Sequence, residues 1–415
     1  MSKRSMQIGG TFVHKAYDAA RLVSSKYLTA FSDLRSPPSA ADHLSLPEYV
    51  EYLKQYCDEN QLWGLISFGI EVLSVARQSS PDGSSFYTVR RRGRTHVRTR
   101  GINSSESKEM RVDAVCVCSG LHEVPHVPAI DGIETFGGTV LHSAQYKQRD
   151  IFAGKRVLVI GCGETGMDLA YRAVQVAEST AVSIKRGFLS VPYDGWGGIP
   201  LDTLIANLFE HSYEHRWLHK THLKWKVILG YQLNAPRALE VDAYADGSPQ
   251  PFSHSGTSCV CQWVGRVKEV KRGHHILCKS TAALPYMNRP VKRKTWRHHL
   301  WAWLDPPHKR VDRDILTFPA PSRIEGKTVI FADGSSYKAD VIVLATGYKQ
   351  SFPFLTEAHK SGEGWVHASG ARGDEDPLPS EHFICSPDEP MLAFIGFVRP
   401  NVGAIPPMSE LQVTR

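Results

Sequence analysis

The chain has 415 residues, of which 42% are hydrophobic and 22% are charged, and its formal net charge is +7. These values are typical of a soluble globular protein and leave room for two or three domains. No apolar run approaches the roughly 18 residues of a membrane-spanning helix, and the first residues lack the apolar stretch of a secretory signal. We therefore expect no integral membrane segment.

Two basic stretches, residues 89–100 and 290–303, account for much of the positive charge. Such stretches also occur at nucleic-acid interfaces. The first one follows a Pro-Asp-Gly turn signal and the run FYTV, which favours a solvated hairpin. The second mixes Trp and His with Lys and Arg, which suits a surface that faces an anionic cofactor. We therefore predict no nucleic-acid partner.

Eight cysteines occur, and four of them form two Cys-Val-Cys pairs, Cys116 with Cys118 and Cys259 with Cys261. None has the C-x-x-C spacing of a redox dithiol or a zinc knuckle. Without a secretory signal, this cysteine usage fits a reducing compartment, and we predict a cytoplasmic protein. Because Cys116 and Cys118 lie in an apolar strand, we expect both to be small core residues.

The spacing of apolar residues predicts one clear helix and a series of short strands. Helical spacing covers residues 46–61. Continuous apolar runs that end in glycine turns predict strands at 113–120, 155–163, 179–187, 339–348 and 391–397. Residues 86–89 and 328–344 have the pattern of hairpin pieces. Runs that are apolar throughout are typical of parallel strands covered on both faces, so the predicted fold class is α/β.

The stretch VLVIGCGETGMDLA, residues 157–170, has the spacing G-x-G-x-x-G in Gly161, Gly163 and Gly166. The spacing alone is common. Here it follows a predicted strand and precedes a predicted amphipathic helix, and the next strand comes at the distance of a βαβ unit, which indicates a dinucleotide site. The first two glycines let the backbone approach a pyrophosphate, and Gly166 lets the helix pack on the strand. The alternative is a packed turn without a ligand.

The residues after the second strand of this unit favour a phosphorylated nucleotide. An NAD site places Asp or Glu about 20 residues after the glycines, where the carboxylate binds the ribose hydroxyls. This chain has Lys185 and Arg186 there instead, and their charge attracts a 2′-phosphate. We therefore predict NADPH, with Arg186 as the leading contact. The alternative for both residues is a solvated charge at a strand end.

A second motif lies just before this unit. FGGTVLHSAQY fits the pattern F-x-G-x-x-x-H-x-x-x-Y through Phe136, Gly138, His142 and Tyr146. With this motif in front of a nucleotide-binding unit, the chain resembles the flavin-containing monooxygenases, class B flavin enzymes that oxygenate nitrogen and sulfur. The related Baeyer–Villiger enzymes usually end the motif in Trp. Tyr146 therefore favours the branch that oxygenates nitrogen and sulfur.

Further segments resemble the same family, in the family's order along the chain. The family places these segments close to the flavin or at the return to the flavin domain: IGGTF (8–12), SSKYLTAFSD (24–33), DVIVLATGY (340–348) and FIGFVRPNVGAIPPMSELQ (394–412). The resemblance thus extends over almost the whole chain.

The resemblance implies two Rossmann-like dinucleotide-binding domains. A domain for NADPH (151–325) is inserted into a domain for FAD (1–150 and 326–415) that is incomplete. The resemblance implies no metal, and it assigns cofactor binding to residues of the quoted motifs: Gly9, Gly10, Thr11, Phe12, Ser24, Phe136, Gly138, His142, Tyr146, Gly161, Gly163, Thr165, Gly166, Asp168, Lys185, Arg186, Thr346, Gly347 and Tyr348.

Family members bind FAD through an earlier G-x-G-x-x-G, and this sequence has none before IGGTF. We expect that a βα stretch of about 30 residues is missing from the front and that both ends are clipped. Each charge-assisted contact to the pyrophosphate is worth about 1.5–3 kcal/mol, so the loss of several weakens FAD binding by orders of magnitude.

In the family, NADPH reduces FAD, and reduced FAD captures O2 as a C4a-hydroperoxide that an amine or a sulfide attacks. Family members often place an Asn beside the oxygenated flavin. This chain has Ser25 at the comparable place, and we predict Ser25 as a catalytic residue through its hydroxyl hydrogen bond.

Two alternatives remain open for the activity. One is a weak or inactive remnant that binds NADPH but not FAD. The other is a different flavoenzyme with two dinucleotide sites, such as a disulfide reductase, and the absent C-x-x-C argues against it. The aromatic-rich residues 193–225 either line the substrate pocket or belong to the core. The substrate and the oligomeric state are not determined by the sequence.

Overall fold

A computed structural model describes residues 5–81, 85–93, 107–185, 187–190, 193–194, 198–204, 206, 239–242, 276–278, 281–287, 314–356, 360, 364–367, 374–398 and 404–414. The chain divides into two compact units. The inserted unit is the continuous segment His126–Gly347, and the split unit combines Met1–Pro125 with Tyr348–Arg415. One unit therefore interrupts the other in sequence.

The described residues form helices and strands with the following bounds. The α-helices are α1 (Thr11–His14), α2 (Lys26–Thr29), α3 (Leu46–Glu59), α4 (Glu164–Val176) and α5 (Ile405–Val413). Short 3-10 helices cover Leu62–Leu65, Ile133–Thr135, Ser143–Gln145, Arg149–Phe152 and Thr281–Tyr286. The strands are β1 (Ile70–Ser79), β2 (Ser85–Gly93), β3 (Ser107–Val112), β4 (Val115–Val117), β5 (Val124–Pro125), β6 (Thr139–His142), β7 (Arg156–Ile160), β8 (Ser179–Ser183), β9 (Gly187–Ser190), β10 (Leu239–Asp242), β11 (Ile276–Cys278), β12 (Ile315–Phe318), β13 (Pro321–Glu325), β14 (Thr328–Phe331), β15 (Ser336–Lys338), β16 (Val341–Leu344), β17 (Tyr348–Lys349), β18 (Trp365–Val366), β19 (Leu378–Pro379) and β20 (Leu392–Phe394).

The inserted unit is built on a parallel sheet in the order β12-β8-β7-β16-β6. The side chains of 157–160 in β7 and of all four β16 residues are buried. Strands covered on both faces need apolar residues at every position, which explains the continuous runs in the sequence. The predicted α/β class and the strands predicted at 155–163, 179–187 and 339–348 are confirmed.

The unit boundaries differ from those expected from the sequence. The sequence placed them near 150 and 325, whereas the compact units divide after Pro125 and after Gly347. The reason is the sheet pairing. β6 and β16 pair with each other, and β16 also pairs with β7, so the segments before 150 and after 325 contribute strands to the same sheet. The assignment of a cofactor to each domain stays a prediction.

An ion-pair cluster fastens β16 to its neighbours at the start of the strands. Asp340 accepts from Arg156 Nε and Nη2, both at 2.9 Å, and from Lys327 Nζ at 3.1 Å. The hydrogen bonds from Arg156 hold the pKa of the Asp340 carboxyl well below its usual range. On the neighbouring meander β13-β14-β15, the Tyr337 hydroxyl lies 2.6 Å from Ser179 Oγ in β8. Polar side chains thus tie the meander to the parallel sheet.

The split unit contains an antiparallel sheet β1-β2-β3 and a parallel pair of β4 with β20. α3 begins with a capping box, in which Ser45 accepts from the Glu48 backbone and Glu48 accepts from the Ser45 backbone. The predicted helix at 46–61, the hairpin strand at 86–89 and the strands within 113–120 and 391–397 are confirmed.

The expectation that Cys116 and Cys118 are core residues is wrong. Both cysteines are exposed, whereas Val117 between them is 5% exposed and packs in the core with Phe394 and Leu392. Successive side chains of a strand point to opposite faces, so a core position for Val117 directs both cysteines away from it. Desolvation of its sulfur, together with Cys116, raises the pKa of Cys118 to about 12.

Candidate cofactor sites

The inserted unit brings several predicted site residues to one edge of its parallel sheet. Leu344 at the end of β16 lies opposite both Ile160 and His142, and Ile160 lies opposite Ser183 at the end of β8. The segments that follow these strands therefore share the edge at the carboxyl ends of the strands. We call this the carboxyl edge and define it as His142, residues 161–166, Lys185 and residues 345–347. Ligands of open α/β sheets bind outside this edge.

Only glycine fits at the first position of the loop that follows β7. Gly161 has φ +109°, and a Cβ added there would lie 2.4 Å from the Ala345 carbonyl oxygen. The Gly161 N–H donates to Ser183 O at 3.1 Å, and the Ala345 N–H donates to Ile160 O at 2.9 Å. The loop therefore lies against two neighbouring strand ends, where a side chain would separate them.

The loop continues directly into α4. Gly163 is the N-cap of α4, and no side chain of the described residues caps this helix end. Gly166 faces the loop so closely that an added Cβ would lie 2.1 Å from Gly161 O. The helix N-terminus thus presents its backbone N–H groups and its positive dipole end at the carboxyl edge. This cradle of glycine backbone and helix start fits a pyrophosphate.

The remaining polar side chains of this unit divide into two groups. Thr165 lies half-buried in the first turn of α4, at the loop. Asp168 is one turn further on and forms an ion pair with Arg172 at 3.5 Å, so its carboxylate is engaged within the helix. Lys185 is exposed two residues after β8, at the carboxyl edge. Arg186 lies outside the described residues.

Phe136 and Gly138 have structural reasons for their place in the motif. Phe136 is 9% exposed and packs in the core of the inserted unit. A Cβ on Gly138 would lie 2.4 Å from Asp340 O and 2.6 Å from the Phe136 ring. The glycine therefore lets the start of β6 pass between the ring and the backbone that leads into β16.

His142 connects two segments of the carboxyl edge through both ring nitrogens. The Ala144 N–H donates to Nδ1 at 3.1 Å, and Nε2 lies 3.0 Å from Gly347 O. A carbonyl only accepts, so the ring proton is on Nε2 and the imidazole is neutral. With 5% exposure, this side chain positions the backbone of Gly347. The geometry assigns His142 to holding the edge rather than to proton transfer.

Tyr146, Thr346 and Gly347 complete the motif residues of the inserted unit. Tyr146 is 1% exposed and its ring stacks on Phe152 with 5.1 Å between centroids. The Thr346 hydroxyl donates to His126 O at 2.5 Å. The His126 N–H donates to Gly347 O at 3.0 Å. The turn after β16 is therefore fixed by contacts on both sides.

In the split unit, Gly9 and Gly10 form a turn before α1. Their φ angles are +110° and +47°, and an added Cβ on Gly9 would lie 2.8 Å from a Val13 methyl group. No atom of the described residues lies within 4 Å of a Cβ added to Gly10, which caps the start of α1, the helix that contains Thr11. Phe12 packs on Tyr49 of α3 with 4.8 Å between ring centroids. Phe12 therefore anchors the turn.

Ser24 and Ser25 lie at the start of α2. Ser24 Oγ is 2.7 Å from the Thr29 hydroxyl, which in turn donates to Ser25 O at 2.8 Å. Ser25 is the N-cap of α2 and is fully buried. The neighbouring Lys26 is 3% exposed and donates to Pro38 O at 2.9 Å and to Ala40 O at 2.5 Å. The buried ammonium fixes this loop.

Tyr348 begins the return of the chain to the split unit, next to a lysine that the sequence did not single out. Lys15 Nζ lies 4.4 Å from the centroid of the Tyr348 ring and donates to Glu123 O at 3.3 Å. The His122 ring lies 5.2 Å from the Tyr348 ring. Burial lowers the pKa of Lys15, and Glu123 partly opposes this shift. A cation–π contact of this kind orients the Tyr348 ring.

Gln412 is a second residue that the sequence interpretation did not name as a site residue. It lies in α5 and is 8% exposed, and its Oε1 accepts from the Gly396 N–H at 2.9 Å. The buried Nε2 has no hydrogen-bond partner among the described residues. A buried amide donor costs free energy unless it is paired, so this atom fits a ligand that carries an acceptor. The signal in the sequence was its place in the closing ELQ motif.

The described residues contain no group of three or more His, Cys, Asp or Glu side chains that could hold a metal ion. Among the same residues, no helix combines the length and the apolar character needed to cross a membrane.

Residues 9–243 and 312–415 match the family described as flavin-binding monooxygenase-like. The chain belongs to this family. Membership confirms the resemblance stated for the motifs, identifies the protein as an oxidoreductase of the monooxygenase class, and indicates FAD and NADPH as its cofactors.

Known relatives of this flavin-binding monooxygenase-like chain extend from fungi to mammals. "Monooxygenase ptmN" of Penicillium ochrochloron is 34% identical, with 98% of this chain and 66% of that protein covered. Human "Flavin-containing monooxygenase 5" is 28% identical, with 95% and 62% covered. The chain thus spans about two thirds of the length of the curated relatives it matches.

Solved structures of the same fold come from enzymes of different chemistry. The S-allyl-L-cysteine S-oxygenase of Allium sativum is 17% identical, with a TM-score of 0.55 and 99% of this chain and 68% of that chain covered. An ε-caprolactone-bound cyclohexanone monooxygenase is also 17% identical, with a TM-score of 0.57 and 99% and 80% covered. At this identity the likeness establishes the fold alone.

Proposed function

We propose that this chain uses NADPH and O2 to oxygenate a soft nitrogen or sulfur atom of a small molecule, with FAD as the flavin. The observation that carries the proposal is the carboxyl edge of the inserted unit. There a glycine loop, a helix start without a side-chain cap and the exposed Lys185 lie at the ends of parallel strands. This combination fits a phosphorylated dinucleotide.

The residues of the inserted unit bind and orient NADPH in this proposal. The backbone of residues 161–166 holds the pyrophosphate, while Lys185 and Arg186 neutralise the 2′-phosphate. His142 keeps the Gly347 turn in place through its Nε2 hydrogen bond. NADPH supplies hydride, and flavin supplies the chemistry that activates O2.

The residues of the split unit hold the flavin in this proposal. Gly10 has open space for a close approach of the ligand, and Gln412 Nε2 is a buried donor that an acceptor on the flavin would satisfy. The Tyr348 ring, oriented by Lys15, borders the same cofactor. Ser25, the N-cap of α2, would donate its hydroxyl hydrogen bond to the bound flavin.

Tyr146 supports the nitrogen- and sulfur-oxygenating branch, because the related Baeyer–Villiger enzymes usually have Trp at the end of this motif. The known structures of the fold include both an S-oxygenase and a cyclohexanone monooxygenase, so the fold does not separate the two chemistries. The substrate class must therefore be tested directly.

The test is carried out on the purified chain supplied with FAD. We expect a bound flavin with its visible absorbance band, bleaching of that band by NADPH without oxygen, and NADPH-dependent O2 uptake with a tertiary amine or a thioether but not with a cyclic ketone. If flavin is bound but NADPH does not bleach its absorbance band, the assignment of NADPH to the inserted unit is contradicted. A chain that binds NADPH but no flavin is the inactive remnant instead.

A further inference from the structure

Cys116 and Cys118 form a pair of thiols on the surface of the split unit. Their sulfur atoms are 3.5 Å apart, and both residues are exposed. Cys116 lies in β4 and Cys118 is the first residue after it, and the short distance between their sulfurs places both side chains on the same side of the chain. The cofactor sites described above do not use these thiols.

The strand that carries the thiols is fixed on its other face. Val117, between the two cysteines, packs in the core, and Val115 packs beside it. β4 pairs with β20 in parallel register, with the Val115 N–H donating to Met391 O at 2.9 Å and the Ile395 N–H donating to Val117 O at 3.0 Å. The backbone therefore holds the sulfurs together, and little ordering remains to be done when a ligand binds.

We propose that Cys116 and Cys118 form a bidentate site for a thiophilic d10 metal ion of the zinc or cadmium type. With metal–sulfur bonds of about 2.3 Å, a sulfur separation of 3.5 Å corresponds to an angle of about 100° at the metal, close to tetrahedral. Chelation thus needs little movement. A disulfide needs the sulfurs at about 2.05 Å, much closer than they lie here, and both cysteines are free thiols.

Binding at this site is a simple exchange of protons for metal. Each S–H bond breaks, each sulfur forms one bond to the metal, and two protons pass to the solvent. No atom changes oxidation state, so no oxidant or reductant is needed. Thiolate sulfur selects soft and borderline cations over Mg²⁺ and Ca²⁺. Water or an external ligand completes the coordination.

The experiment uses the full chain with Cys259→Ser and Cys261→Ser, so that the pair under test is the remaining Cys-x-Cys. Cd²⁺ is titrated under a reducing phosphine, and sulfur-to-cadmium charge-transfer absorbance is recorded. We expect one Cd²⁺ per chain, displaced by Zn²⁺ and unaffected by Mg²⁺. Cys116→Ser and Cys118→Ser should each weaken binding by about 100-fold or more, because one thiolate loses the chelate effect. Cys385→Ser, which removes a single separate thiol, is the matched control.

Three results overturn the proposal. The first is a Cd²⁺ affinity that is unchanged in Cys116→Ser or Cys118→Ser. The second is a loss of Cd²⁺ affinity in Cys385→Ser as large as the loss in those variants. The third is Cd²⁺ binding that appears only after urea unfolds the chain. Circular dichroism of every variant shows whether it is folded. If both serine variants unfold, Cys116→Ala with Cys118→Ala is compared with the parent for protection by Cd²⁺ against alkylation. A parent whose thiols Cd²⁺ leaves unprotected also overturns the proposal.

Discussion

His142 shows how a residue of a functional motif acts through the backbone. A histidine in a motif that precedes a cofactor site suggests proton transfer. Its Nδ1 instead accepts from Ala144 and its Nε2 donates to Gly347 O, so both nitrogens are engaged in one neutral tautomer. Each such hydrogen bond contributes about 1 kcal/mol to the free energy of unfolding. The side chain thereby keeps the turn after β16 at the carboxyl edge.

The charge at the end of β8 should decide between the two nicotinamide cofactors. Lys185→Ala is expected to raise the KM for NADPH about tenfold and to leave the KM for NADH unchanged, because the lost charge-assisted contact is to the 2′-phosphate. Arg186→Ala should have the larger effect. Steady-state kinetics with each cofactor measure the difference. Lys338→Ala removes an exposed charge of the same unit as a control, and equal changes with NADPH and NADH would remove Lys185 and Arg186 from the site.

At the scale of elements, the glycine loop and α4 form one closely packed structural unit. The loop needs Gly161 because the β16 turn is close, and it needs Gly166 because the helix touches the loop. These two contacts are made within the protein, whereas Gly163, the middle glycine of the motif, lies at the helix start. The G-x-G-x-x-G spacing therefore meets two separate requirements. Gly161 and Gly166 are needed for packing, and Gly163 leaves the helix start open for the proposed ligand.

Gly166→Ala tests this close packing. An added methyl group would lie 2.1 Å from Gly161 O, so α4 must move away from the loop. We expect NADPH binding, measured by calorimetry, to fall by at least about tenfold and the free energy of unfolding to fall by about 1–3 kcal/mol, as for an overpacked site. Gly137→Ala is the control, since its nearest contact is an ordinary 3.4 Å. Equal changes in NADPH binding and in the free energy of unfolding in the two variants would contradict a tight contact between Gly166 and Gly161 O.

The ion-pair cluster of Asp340 should make the inserted unit sensitive to acid. The folded-state pKa of Asp340 is lowered, so its stabilisation is complete above the unfolded-state pKa of about 3.9 and is lost as the pH falls through the folded value. Asp340→Asn is therefore expected to be less stable than the parent at pH 7, with a gap that closes only below about pH 4. Urea unfolding at several pH values measures this gap, and Asp150→Asn, an exposed carboxylate of the same unit, is the control. A gap that is constant from pH 7 to pH 3 contradicts the prediction.

At the scale of the whole molecule, the two units differ in continuity along the chain. The inserted unit is a single segment that contains every strand of its parallel sheet, whereas the split unit combines segments from both sides of it. β4, which precedes the inserted unit in sequence, and β20, which follows it, make the parallel pair of the split unit. The split unit therefore depends on contacts between residues about 280 positions apart in sequence, for which loop closure costs entropy.

This difference predicts that the inserted unit folds alone. A protein of residues 126–347 is expected to show cooperative thermal unfolding by circular dichroism and to bind to an immobilised adenosine 2′,5′-bisphosphate resin, with elution by NADPH. The same segment with Gly166→Ala should fold and bind less. A segment that stays unfolded would mean that the parallel sheet needs the split unit, against the division of contacts seen here.

The fold class and the close-packed glycine loop between β7 and α4 could be predicted because both depend on local patterns. Continuous apolar runs report burial on both faces, and three glycines between a strand and a helix report a close backbone approach. Exposure of Cys116 and Cys118 could not be predicted in this way, because strand propensity does not say which face of β4 meets the core. Lys15 and Gln412 were also missed, since their partners Tyr348 and Gly396 are known only from the fold.

The sequence by itself determined the α/β class, the order of the elements, the family and the position of the glycine loop between a strand and a helix, since all of these depend on spacing along the chain. Only the tertiary structure decided that β6 and β16 complete the sheet of the inserted unit, that His142 fixes a backbone turn, and that two thiols meet at the end of β4. The physical reason is that pairing between strands and burial of faces are set by contacts between distant residues, which no local pattern records.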